Sequence, residues 1–226
     1  MKSLRGRSLL ETAAVNERKT RIADFNTATS KDFYPRIANS QGALYENAEE
    51  FNLLGVEFVS HSKNGVKWDK YIQKLIKKAY SNMWILKRLA ELGVSIDDLL
   101  LAYLSRVRVH LEQNVALWNF SISQQLRNKI ESVQKACLFI ILGRYATTDY
   151  YCNLAMLNLE PMVNRREKLC RKFARKTLKH PVHGKMFTLK KGNKTRSSHK
   201  VIEPAAKSAR YRKSSIPSLA RLLNSS

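Results

Sequence analysis

The chain has 226 residues, with 41 Lys and Arg against 18 Asp and Glu and a net charge of +23, which places its isoelectric point near 10.2. An apolar fraction of 44% excludes a wholly disordered polyelectrolyte, which lacks the apolar surface to offset ordering entropy, and eight Gly and five Pro exclude collagen-like and Pro-rich fibres. No apolar run reaches the ~18–20 residues that span a bilayer, and Met1-Lys2-Ser3-Leu4-Arg5-Gly6-Arg7 leads into no signal-type apolar block, so a soluble intracellular protein, nuclear or cytoplasmic, is expected.

Residues 1–20 are basic and polar. Residues 20–25 read as a short strand with Ile22 inward, and residues 26–40, without any period, read as loop. The best strand candidate is residues 53–59, where Leu54, Val56 and Phe58 alternate onto one face. Asn64-Gly65 then offers a tight turn.

The clearest helix spans residues 67–92. Trp68, Tyr71, Ile72, Leu75, Ile76, Ala79, Met83, Leu86 and Leu89 recur at three- to four-residue spacing, and the lysines fall largely off that stripe. Gly93 supplies the helix end. Ser95-Ile96-Asp97-Asp98 reads as an N-cap with a carboxylate three residues on. It opens a helix through Leu101, Tyr103, Leu104, Val107 and Leu111 towards Trp118. Ser121 or Ser123 caps a third helix that buries Leu126, Ile130, Val133, Ala136, Cys137, Ile140 and Ile141 and ends at Gly143. Thr147 or Thr148 caps a fourth, to Leu157. Pro161 suits the first turn of a fifth, which runs to about Leu178 before His180-Pro181 stops it. Short connections favour antiparallel neighbours. Beyond Lys185 the apolar period fades; residues 190–198 are flexible and basic, and a run from Ile216 to Leu223 is expected to dock as a last helical turn.

The fold class expected is therefore mainly α: an antiparallel body of about five helices, a small N-terminal β-hairpin element and a flexible basic C-terminal arm. The divisions fall at residues 1–62, 63–145, 146–184 and 185–226.

Charge is unevenly spread. Residues 162–226 hold 19 Lys and Arg against two acids, Glu167 and Glu203, while the preceding 161 residues hold 22 against 16. Residues 162–176 form an amphipathic basic helix in which Leu169, Phe173 and Leu178 face inward. Arg165, Lys168, Arg171, Lys172, Arg175 and Lys176 cover the rest. Three readings are open: a phosphate-binding helix, a solvated cationic face without partner, and a membrane-surface helix. The last is disfavoured by a narrow apolar face without Trp. Phosphate binding leads, because such a helix can lie along a nucleic-acid backbone and release condensed counterions. No finger, zipper or recognition-helix module implies sequence-specific reading.

Catalytic chemistry is not in view. Cys137, Cys152 and Cys170 are too few for a disulfide framework and lack zinc spacing. Asp97 and Asp98 point ~100° apart on a helix and suit its first turn better than a metal. Phosphate-loop, dinucleotide, zinc-protease and nucleophile-elbow motifs are all absent. No metal, cofactor or small-molecule substrate is expected to bind.

A series of short phrases nevertheless resembles the end of the reverse transcriptase of jockey-like non-LTR retrotransposons. They include Lys19-Thr20, Phe51-Asn52-Leu53-Leu54-Gly55-Val56, Trp84-Ile85-Leu86-Lys87-Arg88-Leu89, Leu111-Glu112, Val133-Gln134-Lys135-Ala136, Ile140-Ile141-Leu142-Gly143, Arg165-Arg166-Glu167, Lys172-Phe173-Ala174 and Ser214-Ser215-Ile216-Pro217. They run collinearly from about residue 16 to 224. The resemblance implies that Lys19 is the lysine at the end of the palm and that Leu54, Gly55 and Val56 are a primer-grip-like hairpin. The helices from Trp68 to about Leu142 would be a thumb lying on a template–primer duplex.

The family's Tyr/Phe-x-Asp-Asp motif does not occur in these 226 residues, and Gln113 stands where relatives tend to carry Tyr. Without the palm carboxylates that hold two metal ions, which are Mg in the full-length family, nucleotidyl transfer has no electrostatic clamp. The chain alone is expected to be inactive as an RNA-directed DNA polymerase. It is expected to bind RNA–DNA or other duplex non-specifically through Lys74, Lys77, Lys78, Lys87, Arg88, Arg165, Arg166, Arg171, Lys172 and Arg175. Trp68, Trp84, Tyr103, Trp118, Ile140 and Phe173 are expected as helix–helix anchors. The alternatives are a domesticated protein–protein interaction module, marked by an exposed aromatic patch, and a remnant reading frame.

Overall fold

A computed structural model describes residue 48 and residues 50–61, 65–189, 201–206 and 208–225. Lys19, the expected strand at 20–25, the loop at 26–40, Asn64 and the run at 190–198 lie outside these residues. The fold is mainly α with a small antiparallel sheet, as expected. The chain forms two compact units, residues 1–67 and 68–226.

The first unit carries β1 (Glu50–Leu53), β2 (Val56–His61) and β3 (Gly65–Lys67), in the order β1-β2-β3. The single strand expected over 53–59 is instead broken into a hairpin. Leu53 pairs with Val56 across a two-residue loop, and both Leu54 (φ 51°) and Gly55 (φ 79°) have positive φ. Positive φ at both loop positions is the type I′ geometry that matches strand twist. Leu54 therefore does not share a face with Phe58; it sits at the loop tip, 94% exposed. Phe58 instead stands opposite Phe51, with the rings stacked 4.9 Å apart. Gly65 opens β3 opposite His61.

In the second unit α1 (Asp69–Glu91) buries Tyr71, Ile72, Leu75, Ile76, Ala79 and Leu86 along one face. Each large apolar side chain so buried is worth roughly 1.5–3 kcal/mol. The helix ends in a Schellman turn: Gly93, at φ 76°, donates its N–H to the Ala90 carbonyl and Val94 donates to Leu89. Ser95 caps α2 (Ile96–Ala102), accepting from the Asp98 N–H at 3.2 Å while its hydroxyl donates to the Asp98 carboxylate at 2.7 Å. The helix then widens into a π-helical stretch, Tyr103–Arg108, before α3 (Val109–Glu112). The wider turn suits the buried line Leu99, Tyr103, Val107 and Leu111, spaced by four, and it leaves Leu101 exposed.

The expected continuation to Trp118 is interrupted. Asn114 takes a left-handed conformation (φ 53°), which its short polar side chain tolerates, and α4 (Val115–Trp118) begins anew. The break is tied down: Asn114 Nδ2 donates to the Tyr71 hydroxyl at 3.0 Å, and Trp118 Nε1 donates to the Gln113 carbonyl at 2.9 Å.

Ser123 caps α5 (Gln124–Leu142), which ends at Gly143. Its buried line includes Gln134 and Leu138, while Ala136 and Ile140 are only partly covered. Asp149, not Thr147 or Thr148, caps α6 (Tyr150–Met156). Thr147 is engaged by Asn153 instead, which accepts from the Thr147 N–H at 2.8 Å and hydroxyl at 3.0 Å. α7 (Met162–Lys179) follows Pro161. Near the end come α8 (Ala209–Arg212) and α9 (Ser215–Asn224).

α5 is the hub, packed against α1, α2, α6 and α7. A buried polar chain links these elements. Tyr103 donates to Gln134 at 2.6 Å, and Gln134 donates to the Tyr150 hydroxyl and the Glu160 carbonyl, both at 2.9 Å. Tyr150 in turn donates to Glu131, which also accepts the Met162 N–H at 3.0 Å. Such a chain fixes the relative register of its helices, because breaking any bond strands a buried polar group.

The C-terminal helix docks as the run from Ile216 suggests. Pro217, Ser218, Leu219 and Ala220 of α9 are buried, and α9 packs on α7 and α4. Ser215 donates to the Leu117 carbonyl at 2.7 Å, and Asn224 exchanges two hydrogen bonds with the Val201 backbone.

Candidate nucleic-acid interface

α7 is the most cationic of these elements, and its packing decides which charges are available. Met162, Arg166, Cys170 and Ala174 turn inward. Opposite them, at the spacing i, i+4, i+7, i+11, the solvent face presents Lys168, Lys172, Arg175 and Lys179, flanked by Lys176. At 1.5 Å rise this stripe is about 16 Å long. Lys168 pairs with Glu160 at 2.5 Å. Lys172, Arg175, Lys176 and Lys179 form no ion pair among the described residues. Lys172 and Arg175 belong to the binding set expected from the sequence; Lys176 and Lys179 do not, although the i+11 spacing from Lys168 marks Lys179.

Three other expected contacts on this helix are placed differently. Arg166 is not a surface contact. It is 0% exposed, with its guanidinium 5.8 Å from the Trp118 ring centroid, and none of its three side-chain nitrogens has a hydrogen-bond partner among the described residues. Burial and the neighbouring Arg127 bring its pKa down to about 10. The inward stripe runs through Arg166 because Cys170 and Ala174, being small, let neighbouring helices approach on that side. For the same reason Phe173 is not an anchor: it is 46% exposed.

Arg165 and Arg171 are partly neutralised. Glu112 accepts from Arg165 at 2.9 Å and from Arg108 at 3.1 Å, and this hydrogen bond holds Arg165 above its usual pKa. Arg171 pairs with Glu167 at 2.9 Å.

α1 supplies the second cationic face. Lys74, Lys77, Lys78, Lys87 and Arg88 are all exposed, as expected. Arg88 pairs with Glu91 at 2.8 Å and lies over the Trp84 ring, 5.5 Å from its centroid. Trp84 itself is 62% exposed and does not anchor helices; it falls opposite the buried stripe, where no helix among the described residues covers it. Trp68, Tyr103 and Trp118 are buried as expected. Leu54 and Gly55 form the hairpin tip in the other unit, and Val56 is buried.

A cleft of about 470 Å³ opens beside α5, α6 and the start of α7. Arg127 and Lys135 there are countered by Glu131 and Asp149, so its lining has no bias towards an anion. No group of three or more His, Cys, Asp and Glu converges among the described residues, and Asp97 and Asp98 sit in the capped first turn of α2. Cys137 and Cys170 are buried, with burial pushing both thiols up to about 12; Cys152 is exposed. Among the described residues no helix is long and apolar enough to cross a membrane.

No protein-family model, curated protein or solved structure matches this chain.

Proposed function

We propose that this chain is a nucleic-acid-binding helical module that contacts the phosphate backbone without reading sequence. The observation that carries this reading is the solvent face of α7, where three cations without ion pairs among the described residues follow Lys168 on one stripe and a fourth, Lys176, flanks it. A cation row of this kind offers each phosphate a charge-assisted hydrogen bond, and every contact releases counterions. The ordered phrases that resemble a non-LTR retrotransposon reverse transcriptase support the same reading, with RNA–DNA or other duplex as the ligand. Polymerase chemistry is not assigned to these residues, which hold no Tyr/Phe-x-Asp-Asp motif.

Charge reversal tests it. Lys172→Glu, Arg175→Glu and Lys179→Glu together should weaken binding to duplexes of unrelated sequence by the same factor, at least a hundredfold. A loss confined to one sequence, or no loss, would refute a backbone contact.

A second reading, a protein-interaction surface, draws on the exposure of Trp84. It requires nucleic-acid affinity to be absent.

A further inference from the structure

Tyr80 and Trp84 lie one turn apart on α1 and are 44% and 62% exposed. Both rings stand among cations. At 100° per residue, Lys77 lies about 20° and Arg88 about 40° from Trp84 around the helix, and Lys87 about 20° from Tyr80. All three cations are exposed. Arg88 stacks over the Trp84 indole at 5.5 Å, which restrains the ring while leaving much of it in water.

The charges say what covers this face. An apolar protein surface would have to desolvate Lys77, Lys87 and Arg88 against Glu91 alone. A nucleotide brings a base face to each ring and a phosphate to each cation. In a duplex, base faces are covered by the neighbouring pairs, so an aromatic on a helix surface finds them only where bases are unpaired. The axial spacing agrees: four residues separate Tyr80 from Trp84 by about 6 Å along the helix axis, wider than the roughly 3.4 Å rise per nucleotide in duplex DNA.

We infer that Tyr80 and Trp84 form a stacking platform for unpaired nucleobases, with Lys77, Lys87 and Arg88 holding the adjoining phosphates. The inference rests on the phosphate-binding reading above and adds a preference for single strands at this face of α1.

The test uses the full chain, a 20-nucleotide oligo(dT), and the duplex of that strand with oligo(dA). Trp84→Ala should weaken oligo(dT) binding about tenfold or more and change duplex binding less than twofold, while Trp84→Phe retains most of the single-strand affinity. Oligo(dT) should quench the fluorescence of the wild-type chain and not that of Trp84→Ala, since Trp68 and Trp118 are buried. Equal weakening of both ligands by Trp84→Ala, or no weakening of either, would overturn the platform. If the α7 triple reversal weakens both ligands and Trp84→Ala neither, the platform alone fails and Trp84 is free for a protein partner. If the wild-type chain binds neither ligand, the phosphate-binding reading fails with it.

Discussion

α1 and α7 are both long basic helices packed on α5, yet they bury different kinds of stripe. α1 turns Tyr71, Ile72, Leu75, Ile76 and Leu86 inward and keeps its lysines in water. α7 turns in Met162, Arg166, Cys170 and Ala174 and leaves Phe173 out. In α1 the buried face is the bulky apolar face. In α7 it is the face on which small residues allow α4, α5 and α9 to approach, and a guanidinium is trapped there. The outcome reverses on the outside: α7 shows solvent an almost purely cationic row, while α1 mixes its cations with Tyr80 and Trp84.

The largest test of this contrast is truncation. Leu86→Ala on α1 should cost about 3 kcal/mol through lost burial and a cavity, whereas Phe173→Ala on α7 should stay within about 0.5 kcal/mol, both read by chemical denaturation. A comparable cost at the two sites would contradict the assignment of α7's inward face. Next in size is Arg166→Met, which replaces a desolvated guanidinium lacking acceptors with an apolar side chain. It should stabilise the fold by about 1–2 kcal/mol; a loss would mean that the charge is satisfied.

The helix ends differ as well. α1 closes on Gly93 at φ 76°, with open space where a Cβ would stand, so Gly93→Ala should cost about 1 kcal/mol from the left-handed conformation alone. α7 ends at His180-Pro181 and has no such position. The smallest effect is electrostatic and lies where α3 meets α1. His110 accepts a hydrogen bond from Asn82 at 3.2 Å, and burial together with Lys78 holds its pKa below the ordinary value. The folded state then binds fewer protons than the unfolded one as pH falls below about 6.5. Stability should be full above that pH and decline beneath it, and His110→Gln should flatten that decline in thermal melts at pH 7.5, 6.5 and 5.5.

Much of this fold was readable where local chemistry and packing agree. The α1 stripe, the Ser95 and Ser123 caps, the ends at Gly93 and Gly143 and the start of α7 at Pro161 each follow from residues within a few positions. Four features were not, because in each a specific partner or packing neighbour outweighs the local pattern. Asn114 breaks its helix with help from Tyr71, 43 positions away. Thr147 yields the α6 cap to Asp149 because Asn153 engages it. Leu54-Gly55 became a loop because Phe51 pairs with Phe58. Arg166 reads as one of five phosphate contacts on α7, and only the approach of neighbouring helices singles it out. Of the candidate site, the exposed cations of α1 and Lys172 and Arg175 of α7 were legible from periodicity. Lys179 lay one turn beyond the stretch first read as the basic helix.

The central claim is that the outward row of α7 binds phosphates, and the salt dependence of affinity for a duplex measures it directly. Five contacts, at Lys168, Lys172, Arg175, Lys176 and Lys179, predict a slope of log K against log salt of about −4.5, and the triple reversal should bring it to about −2. A wild-type slope near zero, or one unchanged by the reversal, would contradict the account.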